Sequence, residues 1–186
     1  MEGSLNSLAL LANYILVPGL AYGSQLALGA LGVTMIYAVL NFSNFSHGEI
    51  MSFGAMITIL VTYWFQGLGI SVHPLPTALI ALPVGIGGAI LLCLLLDRLV
   101  FSFYRQQRAN SVTYLIVSIG VMFVIGGITR FIIGPDDRNF NDGERFILKA
   151  RAFKEMTGLS EGIAIKSSQA ITVASAFIVV AAVFWF

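Results

Sequence analysis

Residues 20–40 read LAYGSQLALGALGVTMIYAVL, a run without one charged side chain, and residues 41–49 then break it with NFSNFSHGE before a second apolar run starts at Ile50. The first run sets the fold class. At ~1.5 Å per helical residue it is long enough to cross a hydrocarbon core of ~30 Å. Similar runs cover Ile50 to Phe65, Leu75 to Leu96, Val112 to Ile133 and Ala170 to Phe186, and a shorter apolar stretch, Leu8 to Val17, precedes the first and ends at Pro18-Gly19. The second run reaches spanning length with its polar lead-in, and the fifth is cut short at Phe186. Arg130 is the one charged residue inside these limits, close enough to the end of its run to snorkel.

Composition agrees. Of the 186 residues 58% are hydrophobic and 10% charged, with a mean hydropathy of +0.89. A soluble domain carries about a quarter charged residues, and helices apolar on every side leave nothing to face water. The runs do not alternate, which excludes a β-barrel. The expected class is all-α integral membrane: about five transmembrane helices with a polar break or re-entrant segment between the first two, in a single transmembrane domain over residues 1–186. A net charge of +1 gives no basic stripe for nucleic acid. The lone Cys93 gives neither a disulfide framework nor metal-ligand spacing. The N-terminus has no basic region of the kind that opens a cleavable signal.

No Lys or Arg precedes Arg98. The short segment from Asp97 to Arg108, with Arg98, Arg105 and Arg108, is densely basic and is expected to be cytoplasmic. Residues 134–169 form a longer extramembrane loop with its charges diluted by acids, expected outside.

The break Asn41–Glu49 admits two readings. Irregular backbone in hydrocarbon survives only where it is buried in protein or lines a wet cavity, so the segment is either a re-entrant element beside a solute path or a loop at the membrane face. On the first reading Asn41, Asn44, Ser46, His47 and Glu49 are the candidate path residues. A structural role competes for two of them. Ser46-x-x-Glu49 fits a capping box, with Phe45 and Ile50 placed as a hydrophobic staple, and Glu49 sits where a helix dipole favours negative charge. His47 with Glu49 could also relay a proton, but two ligands are too few for a closed zinc site. No phosphate-binding Gly-x-x-x-x-Gly-Lys-Ser/Thr loop, nucleophile elbow or His-Glu-x-x-His motif occurs. No catalytic, cofactor-binding or metal-binding residue is expected, and the chain is not read as an enzyme.

The segment from Gly19-Leu20-Ala21-Tyr22-Gly23-Ser24 through Asn44-Phe45-Ser46-His47-Gly48-Glu49-Ile50-Met51 resembles the permease subunits of branched-chain amino acid ABC importers. Gly23 to Leu28, Phe53-Gly54-Ala55-Met56, Ser118-Ile119-Gly120 and Phe131 to Pro135 are similar to further elements of that family. Phe103 to Arg108 resembles its Tyr-Arg-Pro-x-Arg cytoplasmic turn, with Gln106 in place of proline. The Asn44–Glu49 block is the specific part. The resemblance implies a pore-forming subunit in the cell inner membrane, working with ATP-binding subunits, a second permease subunit and an external substrate-binding protein. It implies no cofactor in this chain. Family members are longer, so the resemblance makes this the N-terminal part of a permease. Branched-chain amino acids, urea and short amides all remain open as substrates. The rival readings are a proton or ion channel using His47 and Glu49, and a non-transporting membrane subunit.

Overall fold

The computed structural model describes residues 2–70, 76–134, 136, 146–148, 151, 154–155 and 164–185. Five of its helical segments are long and apolar enough to cross a membrane: Asn6–Leu40, His47–Gly67, Ala78–Gln106, Ser111–Ile133 and Ser167–Trp185. The chain is an all-α, multi-pass integral membrane protein. Most of the expected extramembrane loop, including Arg138, Arg145 and Lys149, lies outside the described residues. Its described parts include one antiparallel strand pair, β1 (Phe146–Leu148) with β2 (Ile165–Lys166), and its last residues already belong to the fifth helix.

Two spans differ from the sequence expectation, for related reasons. Pro18-Gly19 does not end the first apolar stretch. Helix α1 (Glu2–Leu11) passes through a π-helical turn (Ala12–Leu16) into α2 (Val17–Leu40). Proline has no N–H to donate, and its ring crowds the carbonyl one turn back. The turn just before it is widened, with the Val17 N–H reaching Ala12 O, so the chain passes the proline while staying helical. Likewise α4 (Ala78–Leu96) does not stop at Asp97. A second π-helical turn (Asp97–Phe101) carries it into α5 (Ser102–Gln106). The basic turn shrinks to the residues after Gln106. There Arg108 takes a left-handed conformation, φ 52°, and the Ala109 and Arg108 amides bond back to Tyr104 and Arg105 carbonyls, which closes the helix as a glycine normally would.

The chain divides into two compact units. The first holds residues 1–32 and 144–186, that is α1, the first part of α2, the strand pair and α7 (Ser167–Trp185); within it the Asn13 carboxamide oxygen accepts the Ala164 N–H at 3.1 Å. The second, residues 33–143, holds the end of α2, α3 (His47–Gly67), α4, α5 and α6 (Ser111–Ile133). In this unit α3 packs on both α4 and α6. Its core is Ile50, Val121 and Ile125, with Phe53, Leu92 and Val117 against it.

Small residues set the α3–α4 distance. A β-carbon at Gly85 would strike Thr58 Oγ1 and lie 2.7 Å from the Gly54 carbonyl oxygen, and one at Gly54 would lie 3.1 Å from Ala89 Cβ. Thr58 and Thr62 return their hydroxyls to the Gly54 and Thr58 carbonyls at 3.0 and 2.7 Å, so neither leaves a bare donor in the packed face. Among the other helical glycines, a β-carbon at Gly88 would meet Ile57 and one at Gly126 would meet Glu49, whereas Gly19, Gly23, Gly87, Gly120 and Gly127 have nothing within 4 Å of an added β-carbon. Gly85→Ala is therefore expected to push α3 off α4 and lower stability by about 1–3 kcal/mol, while Gly87→Ala changes it by less than about 0.5 kcal/mol. Detergent-titration midpoints of the two purified variants measure the difference.

Candidate functional site

The polar break ends α2 and starts α3 by two separate devices. Asn41 takes a left-handed conformation, φ 55°, and its N–H bonds to the Tyr37 carbonyl at 2.9 Å. Asparagine tolerates that region better than most residues, so Asn41 is the closing residue of α2. At the start of α3 the expected capping box is not formed. Ser46 has helical backbone angles and makes no side-chain cap bond to the helix. Instead the Asn44 carboxamide oxygen accepts both the Ser46 N–H at 3.1 Å and the Ser46 hydroxyl at 2.6 Å. The cap has moved two residues upstream, to a residue type that caps equally well. Glu49 can no longer return to the Ser46 amide, because that donor is taken.

Glu49 turns to α6 instead. A β-carbon at Gly126 would lie 3.1 Å from Glu49 Cδ and 3.2 and 3.3 Å from its two oxygens. Glycine at 126 leaves the room in which the half-buried carboxylate sits. Next to it Ile50 enters the core with Val121 and Ile125, while Phe45 stays half-exposed. The Phe45 N–H donates to the Ser118 hydroxyl at 3.2 Å, and the Ser118 O–H donates in turn to the Leu115 carbonyl at 2.8 Å. Both Ser46 and Ser118 are fully buried.

These bonds fix where the break sits. Ser118 lies ~10 Å along α6 from Ser111, at ~1.5 Å per residue. The break is held against the flank of a spanning helix, not at its end, and the α4–α5–α6 hairpin runs on past it. Below that overhang lies a recess of about 450 Å³. Its apolar walls include Ile36, Leu40, Phe42, Ile50, Leu96 and Phe101, and its polar groups are Asn44, His47, Asp97, Arg105, Ser111 and Tyr114. Phe42 stacks on Tyr114 with ring centroids 5.0 Å apart, and Phe101 stands 6.1 Å from Phe42. The His47 Nε2 atom is buried and has no hydrogen-bond partner among the described residues.

The recess therefore gathers Asn44 and His47 from the break and Arg105 from the basic segment. Asn41, Ser46 and Glu49 do not line it, nor do Arg98 and Arg108. Arg98 and Arg108 are exposed. Of the polar lining residues, Asp97, Ser111 and Tyr114 were not singled out by the sequence. Asp97 binds Arg105 through two parallel bonds, Nη1 to Oδ1 at 3.0 Å and Nη2 to Oδ2 at 2.9 Å. The available signal was an acid opening an otherwise basic segment. Among the described residues no three of His, Cys, Asp and Glu come together as metal ligands would.

A family model described as branched-chain amino acid transport system / permease component matches residues 15–186. Among curated proteins, the high-affinity branched-chain amino acid transport system permease protein BraD of Pseudomonas aeruginosa is 38% identical over 60 residues, covering 32% of this chain and 20% of BraD. The corresponding permease protein LivH of Salmonella typhimurium is 31% identical over 74 residues, 40% of this chain and 22% of LivH. LivH of Salmonella typhi matches to the same extent. The matched stretch thus spans about a fifth of each curated relative's length. No solved structure matches.

The revised cap makes a direct prediction. Asn44→Ala removes the acceptor of two bonds and is expected to lower stability by ~1–2 kcal/mol. Ser46→Ala keeps the amide bond to Asn44 and is expected to cost less. Equilibrium unfolding of the two purified variants in mixed micelles ranks them, and the capping box would require the reverse order.

Proposed function

We infer the function from one premise: the chain belongs to the family of permease components of branched-chain amino acid transport systems. In our reading it forms part of the solute path of an ABC importer in the cell inner membrane. ATP-binding subunits power it, a second permease subunit completes the path, and an external binding protein delivers a branched-chain amino acid or related small solute. The chain itself does no covalent chemistry. ATP binding elsewhere would shift the balance between two arrangements of its helices, and a ligand or nucleotide can do so only through differential affinity for the two.

The observation that carries this reading is the broken helix pair opening on the recess. A spanning bundle made only to sit in lipid has no use for two helix ends against the flank of a third helix. Transporters place solute sites at such discontinuities, where freed backbone groups and polar side chains face a cavity. The basic end of the α4–α5 helix, with Arg98, Arg105 and Arg108, is on this reading the cytoplasmic side. The channel reading gains less support, because His47 lines the recess while Glu49 packs on Gly126 and does not. The two groups of the supposed relay do not share one cavity.

Uptake of radiolabelled leucine by cells carrying the complete transport system, with His47→Trp in this chain, tests the reading. A bulky ring in the recess is expected to cut uptake by about tenfold or more, the effect of a loss of ~1.4 kcal/mol in binding or passage, at unchanged membrane levels. Unchanged uptake would remove the recess from the path. ATP-independent proton current would favour the channel.

A further inference from the structure

The recess carries a charge pattern that uncharged solutes do not need. Asp97 and Arg105 stand together among its lining residues, and the rest of the wall is largely aliphatic and aromatic. Their mutual bonds occupy two of the five guanidinium donors and one lone pair on each carboxylate oxygen. Donors and acceptors are left over on both partners. The pair is partly exposed, with side-chain exposures of 58% and 54%, so a solute entering the recess can reach it. A volume of about 450 Å³ falls within the ~300–1,000 Å³ typical of small-molecule sites.

Each simple ligand class meets a mismatch except one. A monovalent anion would face Asp97 as well as Arg105, and a cation the reverse. A neutral polar solute such as urea would bond to both charged groups but would leave the aliphatic walls without a partner. A zwitterion with an apolar tail answers both the charged pair and the apolar wall: its carboxylate accepts from free Arg105 N–H groups, its ammonium donates to Asp97, and its tail covers Ile36, Leu40 and Phe101. Charge-assisted bonds of this kind are about twice as strong as neutral ones.

We propose that the recess is a selectivity site for aliphatic amino acids in their zwitterionic form, with Asp97 and Arg105 as its specificity-determining residues. The proposal rests on the transport reading above and assigns the permease itself a filter beyond whatever a binding protein supplies. The charged pair stays in place because it spans the π-helical turn Asp97–Phe101, which fixes the helical register between its two members. Selectivity and the shape of that turn are thereby tied to the same two side chains.

Cys93 lines the recess and is the chain's one cysteine, which gives a readout independent of transport. The test measures the rate at which a small charged methanethiosulfonate modifies Cys93 in the purified chain in lipid nanodiscs, with each solute added in turn. Leucine at ten times its Kd is expected to slow modification about tenfold by mass action. Urea, 3-methylbutylamine and 4-methylpentanoate, each lacking one or both charges of leucine, are expected to leave the rate unchanged at the same concentration. Asp97→Asn and Arg105→Gln are expected to abolish the protection by leucine. The wild-type solute series stands even where a variant does not fold. An unreactive Cys93, or equal protection by leucine and the singly charged analogues, would overturn the site. Leucine uptake by the complete system without leucine protection of Cys93 would overturn the site alone, leaving the transport reading intact. Protection without uptake would do the opposite.

Discussion

A chain that stops one helix and starts another inside an apolar bundle must find partners for the backbone amides it frees, since each one left bare there costs several kcal/mol. Here two side chains and one backbone turn meet that demand. Asn44 takes the Ser46 amide and hydroxyl, Ser118 takes the Phe45 amide, and Asn41 turns the backbone left-handed so that α2 can end. The bond from Phe45 to Ser118 matters most, because it joins residues far apart in sequence and so sets the position of the break against α6. The recess, the aromatic stack of Phe42 on Tyr114 and the placement of Glu49 against Gly126 all follow from where that bond puts the start of α3.

Much of this was legible in the sequence, and what was not has a physical cause. Run length and the absence of charge identified the five spans, because a bilayer imposes a length that no soluble core does. The packing faces were not legible. On α6 the buried positions are Ser118, Val121, Ile125, Gly126 and Thr129, a helical stripe, but the opposite side is equally apolar because it faces lipid. Small and hydroxyl residues mark the stripe, not hydrophobicity. Even so, glycine alone did not suffice, since Gly88 and Gly126 meet neighbours while Gly87 and Gly127 beside them do not.

At two places tertiary packing and helix register override local sequence rules. Ser46-x-x-Glu49 satisfies the grammar of a capping box, yet Asn44 satisfies the simpler rule for a cap, and nothing in the local sequence ranks them. Packing decided, by drawing Glu49 towards the space left at Gly126. In the same way the Asp97–Arg105 pair spans eight residues, a spacing that helical-neighbour rules do not pair. The intervening π-helical turn changes the register, as the one before Pro18 lets α1 run into α2. Such turns are rare and often mark functional positions, and here one of them borders the recess.

With its amides paired and its polar side chains on the recess, the break faces water within the bundle and not lipid. A nitroxide at His47, in a Cys93→Ser background reconstituted in bilayers, tests it through collision rates with a water-soluble nickel chelate and with oxygen, compared with a nitroxide at exposed Val124 on α6. Nickel collisions are expected to dominate at His47 and oxygen collisions at Val124. Oxygen-dominated relaxation at both positions would place the break in lipid and contradict it.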